Sequence, residues 1–304
     1  MSQYGSITSI SESPVVADLI YIGTDDGLIQ VTEDGGQTWR KAERIYGVPE
    51  RAFVNDIKAD RNDADTVYAC LDNHKEGDFK PYLIRSRDRG RTWESIAGDL
   101  PDKHLVWRFE QDHENAELMF LGTEFGVFVS LNAGENWLKL SQGMPTIPVR
   151  DLAIQRREND LVCATFGRGF YVLDDYSPLR KLSKLQSDGE SAELLAPRTT
   201  AWYQETRVSP VSFRGDDFYT AANPPMGAVF TLHVREATET ARAKRKKAEA
   251  EAAKANQDVE IPTFEALAEE AAEEAPRLMI EIRDGQDEFV QRVACPTAKG
   301  LHRV

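Results

Sequence analysis

The chain has 304 residues, with 37 Lys and Arg against 51 Asp and Glu, a formal net charge of −14. At roughly 150 residues per domain it has room for about two domains, and a balance this acidic excludes a nucleic-acid backbone as main partner, because phosphate recognition needs a basic face. The 41% hydrophobic content with 20 Gly and 14 Pro is that of a globular protein; the apolar runs fall far short of the ~20 residues of a membrane helix, and Met1-Ser-Gln-Tyr-Gly5 opens no signal peptide.

From the N-terminus, short β-rich runs recur. Alternating apolar runs at 7–10, 53–57, 105–109 and 149–154 mark four unit starts. Second runs, such as 19–23 and 118–122, end in a Gly and a tight turn. A turn sequence of the form Ser/Thr-x-Asp-x-Gly-x-x-Trp then closes three units. It is Thr32-Glu-Asp34-Gly-Gly36-Gln-Thr38-Trp39, then Ser86-Arg-Asp88-Arg-Gly90-Arg-Thr92-Trp93, then Ser130-Leu-Asn132-Ala-Gly134-Glu-Asn136-Trp137. The spacing of Trp39, Trp93 and Trp137 suits a four-stranded repeat. The turn chemistry has a local cause. The carboxylate accepts backbone N–H groups, Gly takes a backbone shape that other residues resist, and Trp anchors the turn by burying its ring. These nine residues (Asp34, Gly36, Trp39, Asp88, Gly90, Trp93, Asn132, Gly134, Trp137) are therefore expected to be structural. The fourth unit runs through 161–165 and Phe166-Gly-Arg168-Gly-Phe170 to Asp174-Asp175 without such a turn.

This pattern resembles the Asp-box, or bacterial neuraminidase repeat, β-propeller proteins. The stretch from Phe166 to Asp175, with Pro178-Leu-Arg180-Lys-Leu182, looks like the last propeller unit of bacterial sortilin-type, "glycosyl hydrolase, repeat-containing" proteins. The resemblance implies an all-β chain: about four propeller blades over 1–183, then an incomplete immunoglobulin-like sandwich. It also implies further blades in a longer parent chain and a periplasmic or extracellular site.

Residues 184–227, with Trp202, have no clear periodicity and are expected to be a linker packed on the propeller. Residues 228–304 carry alternating runs at 228–234, 278–282 and 288–293. An insertion at about 238–275 separates them. Its first part is Lys/Arg-rich and Ala-rich, its second Glu-rich and Ala-rich, so both favour helix. Thr263 is placed to cap the second, and opposite charges predict cross-helix ion pairs.

In an up-and-down unit the Asp turns occupy one rim, and the resemblance implies ligand sites at the opposite rim or the central channel, which sets the candidate residues. These are Asp25, Asp26, Arg51, Glu124 and Arg168, with His104 and the loop from Asp72 through His74 to Pro81. One of each inner-strand pair is expected to face the channel: Asn55 or Asp56, Trp107 or Arg108, Arg150 or Asp151. Glycoside hydrolysis needs two carboxylates ~5–9 Å apart, for which Asp56 and Asp151 are the candidates. The resemblance implies a sortilin-like binding scaffold for a glycan or a peptide; a xyloglucanase- or sialidase-like hydrolase is the alternative. His74, His104, His113, His233 and His302 show no metal-ligand spacing, Cys70, Cys163 and Cys295 no zinc or disulfide pattern, and no cofactor is implied. Cys70 and Cys163 are expected to be small buried hydrophobes.

Overall fold

The computed structural model describes residues 5–43, 45–141, 143–182, 191–200, 226–259 and 261–304. Two compact units divide the chain after Leu185.

The first unit is a succession of antiparallel meanders. Sheet one is β1 (Ile7–Glu12), β2 (Ile20–Thr24), β3 (Ile29–Thr32) and β4 (Arg40–Lys41). Sheet two is β5 (Phe53–Ala59), β6 (Val67–Asn73), β7 (Asp78–Ser86) and β8 (Glu94–Ser95). Sheet three is β9 (Val106–Gln111), β10 (Met119–Thr123), β11 (Gly126–Ser130) and β12 (Leu138–Leu140). Sheet four has three strands, β13 (Val149–Gln155), β14 (Asp160–Thr165) and β15 (Phe170–Leu173), before the single-turn helix α1 (Leu179–Leu182).

The sheets are held face to face by the two-residue period of a strand. In β6, Val67, Ala69 and Leu71 pack with Leu19, Tyr21, Ile29 and Val31 of sheet one. The alternate residues Tyr68 and Cys70 pack with Phe109, Met119, Leu121 and Phe128 of sheet three. Sheet two is thus buried on both faces, which is why 67–71 is apolar without interruption. Each fully buried Leu or Ile contributes about 1.5–3 kcal/mol. Burial pushes the Cys163 thiol up to about 12 and raises that of Cys70, so both act as small hydrophobes.

The three Asp/Asn turns link third to fourth strands and share one hydrogen-bond pattern. Asp34 Oδ1 accepts the Thr38 N–H at 2.9 Å, Asp88 Oδ1 the Thr92 N–H at 2.8 Å, and Asn132 Oδ1 the Asn136 N–H at 3.0 Å. The leading Thr32, Ser86 and Ser130 hydroxyls accept the Gly36, Gly90 and Gly134 N–H groups. The indoles differ. Trp137 is buried, its Nε1–H donating to Ile96 O of sheet two at 3.0 Å, and Trp93 packs half-buried against the core of sheets one and two. Each turns toward the preceding sheet. Trp39 lies on sheet one, which has no preceding sheet among the described residues, and the residue is 41% exposed. Uniform burial of the three rings was the expectation; the missing neighbour is why it fails at the first.

A second set of turns also repeats. Between first and second strands, the side chains of Ser13, Asp60 and Asp112 accept backbone N–H groups two or three residues on. Asp112 does more. It accepts the Tyr176 hydroxyl at 2.6 Å and the Arg180 guanidinium at 2.7 and 2.8 Å, tying the segment after sheet four to sheet three.

In the second unit, β16 (Ala192–Leu195), β17 (Thr231–Val234) and β20 (Gly300–Arg303) form one antiparallel sheet, and β18 (Leu278–Arg283) pairs with β19 (Phe289–Cys295). β16 falls within the stretch expected to be linker; four residues without alternation carried no strand signal. The rest of that stretch, including Trp202, lies largely outside the described residues. Helices α2 (Ala241–Lys254) and α3 (Phe264–Ala272) form the insertion. The Thr240 and Thr263 hydroxyls cap them by accepting the Ala243 and Ala266 N–H groups. Arg245 joins them through a bidentate pair with Glu270 at 2.7 and 2.9 Å.

Candidate functional site

The site begins with a defect repeated four times. In every sheet of the first unit the first strand carries a register shift against the second. The extra residue is Thr8 in β1, Asn55 in β5, Trp107 in β9 and Arg150 in β13. A bulge interrupts alternation and re-aims one side chain. Four bulges in equivalent places therefore set four side chains side by side.

The first two are sewn to the next sheet. Thr8 Oγ1 donates to Val54 O at 2.7 Å, and Asn55 Nδ2 donates to Val106 O at 2.9 Å. Trp107 is too large to repeat the stitch. Its Nε1–H turns to Glu124 Oε2 at 3.0 Å, and Arg150 lies over its ring, with Cζ 3.6 Å from the centroid. The Arg150 guanidinium also comes within 3.9 Å of Glu124. The bulge residues Asn55, Trp107 and Arg150 line a cavity of about 340 Å³ together with the end of β6 and the residues just after it. Asp72, buried at the end of β6, accepts His74 Nδ1, and the Lys75 ammonium stands 5.1 Å over the Phe53 ring. Because a carboxylate only accepts, His74 Nδ1 is the donor and Nε2 is left for a ligand.

The residues after the bulges form a polar belt. Ser9 donates to Asp56 at 3.4 Å, and Asp56 accepts Arg108 Nη1 at 2.9 Å and the Phe109 N–H at 3.1 Å. Arg108 Nε lies 2.9 Å from Asp151 Oδ1, an ion-pair contact without hydrogen-bond alignment. Burial raises the Asp56 carboxyl above its ordinary range, against the pull of Arg108 and Lys58. Burial alone would lower the Arg108 value, but Asp56 and Asp151 outweigh it and hold it up. One guanidinium thus separates the two carboxylates singled out for hydrolysis.

The other expected ligand residues are scattered. Asp25 accepts the Gly5 and Ser6 N–H groups at 2.7 and 2.9 Å, fastening the β2–β3 turn to the segment before β1. Asp26 accepts the Thr24 hydroxyl and lines, with Arg51, a separate cavity of about 520 Å³ beneath the β4–β5 connection. Arg168 is exposed on the β14–β15 turn. His104 packs edge-on against Phe125 and Phe128. Of Asp25, Asp26, Arg51, Glu124 and Arg168, only Glu124 joins the bulge cluster; Asp72 and His74 of the expected loop line its cavity. Inner-strand alternation missed that Trp107 and Arg108 both line the cavity, because the bulge removes alternation there. No group of His, Cys, Asp and Glu among the described residues could hold a metal ion. No described helix is long and apolar enough to cross a membrane.

No protein-family model and no curated protein matches the chain. Among solved structures, it is similar to the GH74 enzyme of Niastella koreensis at 12% identity and a TM-score of 0.43, over 56% of this chain and 29% of that one. YCF48 from Cyanidioschyzon merolae is similar at 18% identity and 0.41, over 57% and 54%. The Cps50 (Swd1) β-propeller domain of Myceliophteria thermophila is similar at 14% and 0.43, over 62% and 56%. The chain spans less than two thirds of the length of each.

Proposed function

We propose that the four sheets are consecutive blades of an Asp-box, sortilin-like β-propeller, and that the molecule is a binding scaffold whose ligand occupies the cavity at Asn55, Trp107 and Arg150. The observation that carries this reading is the run of in-register bulges. It gathers aromatic, amide and cationic side chains from three sheets at the rim opposite the Asp turns. Pockets with a few convergent polar groups are the usual place for ligands. The ligand class is a glycan or a peptide, and the site of action an exported one, periplasmic or extracellular. An array of glycans and peptides probed with the full chain tests it. Signals that vanish in Arg150→Gln and Glu124→Gln support the reading; a blank array counts against it.

The scaffold is further proposed to be part of a larger ring. Sheet one exposes Ile7, Ile10 and Trp39, and sheet four exposes Phe166, Phe170 and Val172, apolar surface of the kind the inner sheets bury. The intact mass of the protein isolated from its source checks this: a mass near 34.2 kDa would refute it. Hydrolysis is the weaker alternative. The Arg108 bridge keeps Asp56 and Asp151 occupied, whereas an acid and a base must face a glycosidic oxygen. Loss of xyloglucan or sialoside turnover in both Asp56→Asn and Asp151→Asn, with folding intact, would reinstate it.

A further inference from the structure

The wall of the bulge cavity has an unusual composition for this protein. The chain as a whole carries −14, yet the lining holds three fixed cations, Lys75, Arg108 and Arg150, against the single acid Asp72. Two of the cations are engaged. Arg108 is held by Asp56 and Asp151, and Arg150 by the Trp107 ring and, more distantly, by Glu124. Lys75 is different: no carboxylate of the described residues lies within 4.0 Å of its ammonium, which stands over Phe53. Asp72 accepts His74 Nδ1. Lys75 is therefore the lining cation left for an anionic group, and His74 belongs to the same wall. The lining contains no aliphatic side chain at all. Pockets for apolar ligands or peptide side chains are mostly apolar. This wall instead offers donors, an amide and two aromatic rings, the groups that meet hydroxyls and sugar faces. Its volume, about 340 Å³, lies at the small end of the roughly 300–1,000 Å³ range of ligand pockets and suits a single sugar unit.

We infer that the cavity binds an anionic sugar residue, the carboxylate or sulfate meeting Lys75 and the ring hydroxyls meeting Asn55 and His74. This rests on the bulge cavity being the binding site of the scaffold. Lys75 supplies the charge that selects the ligand, and Arg150, stacked on Trp107, fixes the opposite wall.

Calorimetric titration of the full chain tests it with four probes: methyl β-D-glucuronide, glucose 6-sulfate, neutral methyl β-D-glucoside, and the peptide acetyl-Gly-Asp-Gly-amide. The expected result is binding of at least one charged sugar, with the neutral glucoside at least tenfold weaker. Losing one charge-assisted hydrogen bond in Lys75→Gln should weaken the charged sugar about tenfold, and added salt should weaken it too. Lys246→Gln, on exposed α2, removes the same charge elsewhere and should change nothing. The glucuronide and sulfate arms tell which oxyanion is recognised. Equal binding of the neutral glucoside, tighter binding of the peptide, or full affinity in Lys75→Gln each overturns the inference while leaving the scaffold reading standing. Failure of all four probes overturns it as well; the array, which covers larger and uncharged ligands, then decides the scaffold reading separately.

Discussion

Removing the Tyr176 hydroxyl tests how the segment after sheet four is fastened. Asp112 is buried, with 0% of its side chain accessible and 13% of that of Arg180. Its carboxylate accepts Tyr176 OH at 2.6 Å, two bonds from Arg180, and the Glu114 and Asn115 N–H groups. A hydrogen bond to a charged group contributes about 1.5–3 kcal/mol, so Tyr176→Phe, which keeps the ring against Phe120, should cost about that much. Asp112→Asn breaks a buried ion pair, a change of about 3–5 kcal/mol; the Glu114 carboxylate 2.7 Å from Arg180 should hold it to the lower end. Asp112→Asn alone already takes the charged acceptor from the Tyr176 hydroxyl, so in the double variant the two costs should fall short of additivity by about 1 kcal/mol or more. Urea unfolding followed by tryptophan fluorescence is the assay: four of the five Trp residues (Trp39, Trp93, Trp107 and Trp137) lie in the first unit. A shift below about 0.5 kcal/mol for Tyr176→Phe, or an additive cycle, would refute the reasoning. The sign with pH follows. Burial would raise the Asp112 carboxyl, but the Arg180 and Tyr176 hydrogen bonds outweigh it and hold it below the usual range. The stabilisation is therefore present above about pH 4 and disappears as pH falls through the lowered value.

Three further outcomes are expected. In Gly122→Ala the new methyl would lie 2.8 Å from the backbone oxygen of Val149, so the change should cost about 1–3 kcal/mol; a wild-type urea midpoint would contradict the close sheet contact. The carboxyls of Asp34 and Asp88 are both held down to about 2. Hydrogen bonds from Thr38 do this for Asp34; for Asp88 burial opposes, but those from Thr92 outweigh it. On acidification the Thr38 and Thr92 amide resonances should therefore move with midpoints near 2, while that of Asn136, bonded to the untitratable Asn132, stays still; three parallel titrations would disprove the pairing. Finally, Arg245→Gln removes the surface ion pair between α2 and α3, a kind of pair that contributes little, so the melting of the second unit should shift little; collapse of the α2–α3 helical signal would show that this pair holds the hairpin together.

What was legible in the sequence was what is decided locally. The Asp turns close within eight residues, and their Ser/Thr, Asp and Gly announce themselves without reference to the rest of the chain. The helices of the insertion did so too, through Ala content and the Thr263 cap. The bulges could not be read, because a bulge exists only relative to a partner strand; Trp107 alone carries no mark of being unpaired. Nor could the bond from Tyr176 to Asp112, which spans 64 residues. Ser13, Asp60 and Asp112 hold equivalent turns, but Ser and Asp are common and the surrounding residues differ, so that repeat stayed hidden while the tryptophans showed.

The seams between sheets have a direction. Thr8 and Asn55 donate forward to the backbone of the next sheet, and Ser9 and Asp56 accept forward from its Ile57 and Phe109 N–H groups. The first two units thus carry the hook on one flank, and the second and third offer the eye on the other. Such a module can be copied or excised within the array without redesigning its neighbours, but it can never be inserted back to front.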